Sequence, residues 1–101
     1  MPASENGLQM VRDALNDART AEAAAFTEDH PLYGHEKTFV KTAAMVRDLA
    51  SKIQTGEIEL EAAYVEAERA VNDECDELYP AVFAEVHGGN PVREMFAALS
   101  L

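Results

Sequence analysis

The sequence predicts an all-α fold, a small antiparallel helical bundle of three long helices plus a short C-terminal helix, in one domain covering residues 1–101. Three observations carry this prediction. Apolar residues recur at helical spacing through each long segment. No run of credible length alternates with the two-residue period of a strand. Glycines fall at the joints between the periodic stretches, at Gly34, Gly56 and Gly88-Gly89.

The first segment runs from about Ser4 to Phe26. At 100° per residue, Leu8, Val11, Ala14, Leu15, Ala18, Ala21, Ala25 and Phe26 share one arc of about 140°. Arg12, Asp13, Asn16, Asp17 and Arg19 lie opposite, and Ser4 or Asn6 is the candidate cap. Glu22 is the one charged residue inside the apolar arc, where a carboxylate needs a partner or an exit to solvent.

The stretch "DHPLYGHEKTF" (29–39) holds two of the three histidines and invites a site reading. Periodicity gives a simpler one. Phe39, Ala43, Val46, Ala50 and Ile53, flanked by Leu49, form the stripe of a second helix that ends at Gly56. Lys37, Lys41, Asp48 and Lys52 fall on its opposite face. Leu32 and His35 share the phase of the stripe, so the helix is expected to start as early as Pro31, with Asp29 or His30 near the cap and His30 exposed. If the first two helices form a hairpin, Glu22 near the end of one meets His35 near the start of the other, an expected structural polar pair.

The third helix begins after "QTGEIE", with Glu59 as its cap. Leu60, Tyr64, Ala67, Val71, Cys75 and Leu78 line one face. Pro80 must kink or split it, because proline removes a donor and clashes with the preceding turn. Asn90 as N-cap and Pro91 at the first helical position then open the short last helix, which carries Val92, Met95, Phe96 and Leu99.

Composition narrows the function classes. With 48% hydrophobic and 27% charged residues the chain is globular rather than disordered. Much of the apolar share is alanine, which buries little surface. A core this thin makes a homodimer plausible. Cys75 is the sole cysteine, so neither an internal disulfide nor a CxxC zinc site can form, and a reduced buried thiol is expected. No apolar run approaches the roughly 20 residues of a bilayer span, and "MPASENGLQM" lacks the pattern of a secretion signal. The expected setting is cytoplasmic, with no membrane partner.

No histidine has another His, Asp or Glu three or four residues away, so no helical ligand pair containing histidine exists and no metal or cofactor is expected. Gly-x-Ser-x-Gly, a glycine-rich phosphate loop and a Cys–His arrangement are all lacking. His87, just before a glycine pair, suits the carbonyl end of a helix. The expectation is a protein that is not an enzyme.

Charge is the most informative feature. The net charge of −11 disfavours direct binding to nucleic acid, whose affinity for proteins comes from Lys and Arg on phosphates. A basic protein surface is the favoured partner. Residues 57–79 carry nine acidic side chains and one basic, whereas residues 34–56 carry four basic and two acidic. On an uninterrupted third helix Glu66, Asp73 and Glu77 fall within about 40° of one another, with axial steps of about 10 Å and about 6 Å, and Asp76 lies beside them. Carboxylates so spaced can imitate a run of phosphates. Glu66, Asp73, Asp76 and Glu77 are therefore the candidate partner-binding residues. Small size, acidity and helical build make the chain similar in overall character, though in no motif, to anti-restriction and anti-CRISPR inhibitors. The alternative is a small dimeric interaction or scaffold domain that uses its apolar helix faces.

Overall fold

The computed structural model describes residues 5–74 and 77–99. Over these the chain is all-helical, with α1 (Glu5–Ala24), α2 (Glu36–Thr55), α3 (Leu60–Glu74), α4 (Tyr79–His87) and α5 (Pro91–Ala98). Cys75 and Asp76 lie outside the described residues, as does the candidate cap Ser4.

α2 is the organising element. It packs on α1, α3 and α5, and its buried face is Phe39, Thr42, Ala43, Val46, Leu49 and Ala50, nearly the expected stripe. Thr42 satisfies its hydroxyl internally by donating to the Thr38 carbonyl at 2.8 Å. The helix ends as its sequence requires. Gly56 adopts φ 80°, its N–H donates to Ile53, and the N–H of Glu57 reaches the Lys52 carbonyl at 2.9 Å, which closes a Schellman motif.

The start of α2 differs from expectation. The helix opens at Glu36 with His35 at its N-cap, not at Pro31. Residues 27–35 instead form successive tight turns, with N–H to carbonyl bonds from His30 to Thr27, Tyr33 to His30 and His35 to Leu32. Two local causes suffice. Pro31 disfavours helical geometry at His30 before it, and Gly34 sits at φ 92°, which no helix contains. Leu32 is nonetheless fully buried, carried inward by the turn rather than by a helix.

α1 is rolled relative to the predicted arc. Leu15, Ala23 and Phe26 are buried, and so is Arg12 at 5% exposure, whereas Ala14, Ala18, Ala21 and Ala25 are exposed. The side chains of Asn6, Leu8 and Val11 are outside the described set. Averaging over four alanines drew the predicted arc to their side of the helix. The large anchors Leu15 and Phe26 are only about 20° apart. The surface they share turns the other way and takes in Arg12 and Ala23.

The third segment is two helices. α3 ends at Glu74, and α4 opens at Tyr79 with Pro80 in its first turn, where a missing N–H costs nothing. This interruption moves Leu78 off the predicted buried face. It is 67% exposed at the N-cap of α4, while Tyr79 beside it is fully buried. α5 forms as expected, the Asn90 Oδ1 accepting from Val92 N at 3.0 Å and Arg93 N at 3.4 Å.

Aromatic rings tie the helices at one end of the bundle. Phe39 meets Phe26 of the α1–α2 turn edge-on at 5.4 Å and Tyr79 and Phe83 of α4 at 6.3 and 6.1 Å. Elsewhere Tyr64 of α3 packs edge-on to Phe96 of α5 at 4.7 Å.

Candidate functional site

The histidine-bearing stretch is a helix start. His30 is half-buried rather than exposed. Its ring stacks on Phe26 at 4.1 Å, and its Nδ1 accepts from Leu32 N at 3.1 Å. Glu36 reaches back so that both carboxylate oxygens accept from Gly34 N at 3.1 Å. That backbone bond, aided by the backbone N–H of Glu36 itself, holds the Glu36 carboxyl below the ordinary glutamate range. Among the described residues no group of three or more His, Cys, Asp or Glu is placed to hold a metal ion.

Glu22 lies between a guanidinium and an imidazole on different elements. Its Oε2 accepts from Arg19 Nη1 at 3.1 Å, one turn back on α1. Its Oε1 is 3.0 Å from His87 Nε2 at the end of α4, close but off the line that a hydrogen bond needs. The His87 ring rests on Phe83 at 4.5 Å, and the Arg19 guanidinium lies 5.7 Å over Phe39. His35, the partner suggested by spacing, is the half-buried N-cap residue of α2. The α1–α4 contact of Glu22 with His87 was not legible in the sequence, because nothing local says that these distant residues meet.

The acidic face is the remaining candidate. Glu57, Glu59, Glu61, Glu66, Asp73 and Glu77 are all exposed, and among the described residues none of the six is in an ion pair. Glu68 differs, being half-buried and bridged by Arg93 of α5 at 3.3 Å. Glu66 and Asp73 stand on α3, two helical turns apart. Glu77 stands in the turn beyond Glu74, so the helical projection that aligned it with Asp73 does not apply. Asp76 is outside the described residues.

Glu66 also has cationic neighbours that the charge count by segment hid. It lines one groove between α2 and α3, of about 430 Å³, together with Lys41, Asp48 and Lys52. The lysines placed opposite the α2 core stripe thus share a face with α3.

No family model, curated protein or solved structure matches the chain. Among the described residues no helix is long and apolar enough to cross a membrane.

Proposed function

We propose that the chain is a non-enzymatic binding protein whose α3 face docks on a basic protein surface. Its concrete form is inhibition of a nucleic-acid-binding complex, with Glu66, Asp73, Asp76 and Glu77 standing in for phosphates. The observation that carries the reading is that Glu57, Glu59, Glu61, Glu66, Asp73 and Glu77 are exposed and, among the described residues, in no ion pair. Leaving this many like charges uncompensated on one short segment raises self-repulsion and adds nothing to the core. A cationic partner would relieve that repulsion.

The mechanism has two stages. The field of the −11 chain steers a cationic partner to α3. Carboxylate–Arg and carboxylate–Lys pairs then form around an apolar anchor, for which Val65, 53% exposed on α3, is available. Tyr79 is fully buried and Tyr64 is half-buried against Phe96, so both serve packing rather than anchoring a partner.

The test is affinity capture from native lysate with the immobilised chain, beside a Glu66→Gln/Asp73→Asn/Glu77→Gln variant. Nucleic-acid-binding proteins retained at low salt, released at high salt and missed by the variant are the expected result. Equal capture by the variant contradicts the reading.

A further inference from the structure

The chain has three lysines, Lys37, Lys41 and Lys52, and all three are exposed on the outer side of α2. Among the described residues none is in an ion pair. They flank apolar ground. The α2/α3 groove contains Ala44, Met45, Leu49 and Ala70 among four charged side chains, Lys41, Asp48 and Lys52 of α2 and Glu66 of α3. An adjoining patch along α2 carries Val40 and Ala44 beside Glu36, Lys37 and Lys41. One face of the molecule thus sets three unpaired lysines of α2, with Glu36 and Asp48 among them, beside the unpaired Glu66 and Asp73 of α3, with an apolar seam between the two helices.

We propose that this face is a homodimer interface whose occupant is a second copy of this chain. The argument is charge complementarity under symmetry. Residues 56–59 are a four-residue connection between α2 and α3, which pack on each other, and a link that short is that of an antiparallel helical hairpin. A two-fold axis laid along the groove sets α2 of one copy over α3 of the other and leaves every residue at its own level. Lys41 stands about as far back from the turn as Asp73 stands beyond it. Lys52 falls within about one turn of Glu66, while Asp48 between the lysines falls at nearly the level of Glu66 and is the like charge that the pairs on either side must outweigh. Each copy then offers its lysines to its partner's carboxylates twice over, and the two apolar seams meet at the axis. Ion pairs unmade within one copy are made between two.

The face is about 25 Å long and about 20 Å wide, so two copies together bury roughly 1,000 Å², the lower limit for a specific interface. An interface of that size makes a weak dimer, dissociating in the micromolar range. The like net charges of the two copies do not forbid it, since physiological salt screens them beyond about 8 Å. Glu66 and Asp73 are shared with the proposed partner face, so a basic partner would compete with the dimer. The dimer itself does not depend on that reading.

Sedimentation of the full chain, from low micromolar to several hundred micromolar, tests the proposal. The wild type is expected to pass from monomer to dimer across this range. Lys41→Glu/Lys52→Glu and Glu66→Lys/Asp73→Lys should each weaken dimerisation at least about tenfold while keeping wild-type helicity. An equimolar mixture of the two should recover the dimer, because each restores opposite charges to the other. A wild type that stays monomeric throughout overturns the proposal, as does a mixture of folded variants that fails to associate. A monomeric wild type whose groove instead binds an acidic amphipathic peptide also overturns it, and assigns the groove to another protein. These outcomes are read without any basic partner, so they are distinguishable from failure of the capture experiment.

Discussion

Phe39 should be the least replaceable side chain in the molecule. It is fully buried in the first turn of α2, edge-on to Phe26 and Tyr79 and beneath the Arg19 guanidinium. Phe39→Ala removes a packed ring whose neighbours come from the α1–α2 turn and from α4, so collapse around the gap would need several elements to move. Core Phe→Ala changes cost about 3–5 kcal/mol, a large part of the roughly 5–15 kcal/mol that holds a domain together. At about 4 °C per kcal/mol for a chain of this length, Tm should fall by about 12–20 °C. Thermal melts followed by circular dichroism supply the readout. Tyr33→Ala, at a loop position 51% exposed, is the control and should change stability by no more than about 0.5 kcal/mol. A Phe39→Ala loss below about 4 °C, or a Tyr33→Ala loss as large, would refute the packing described.

Further outcomes test separate parts of the structure. Ala23→Glu should destabilise strongly and Ala21→Glu hardly at all, because Ala23 is 5% exposed and Ala21 faces solvent; the opposite order in urea melts would restore the arc predicted from alanine spacing. Asn90→Ala should cost about 1 kcal/mol by removing the α5 cap, and Asn90→Asp should retain most of it. The Glu36 carboxyl is held below its ordinary range in the folded state, so its contribution is present above that range and is lost as pH falls through the lowered value. Glu36→Gln should therefore flatten the acid limb of a stability-versus-pH curve and leave the neutral plateau similar in shape.

The legibility of the fold followed the size of the side chains. α2 and α5 were readable because their stripes consist of large residues and their ends carry Gly56 and Asn90, whose chemistry fixes local geometry. α1 was misphased because alanine is apolar by type yet gains little from burial, so Leu15 and Phe26 set the helix rotation and took Arg12 inward with them. Pro80 announced a break but not its form. The split at Glu74 took Leu78 to the surface and removed the helical spacing between Asp73 and Glu77. The exposed carboxylates of α3 could be read directly from the charge run. Two features depend on tertiary placement and could not be: the contact of Glu22 with His87, and the sharing of one groove by Glu66 with Lys41 and Lys52.

The central claim is that the α3 carboxylates form a binding surface rather than a merely solvated one. Its most direct measurement is the affinity of the wild type and of the Glu66→Gln/Asp73→Asn/Glu77→Gln variant for a captured basic partner across a salt series. At about 0.2–1 kcal/mol for each exposed pair, the variant should bind roughly threefold to 150-fold more weakly at low salt, and its affinity should depend less steeply on salt. Equal affinities and equal salt slopes would contradict the account.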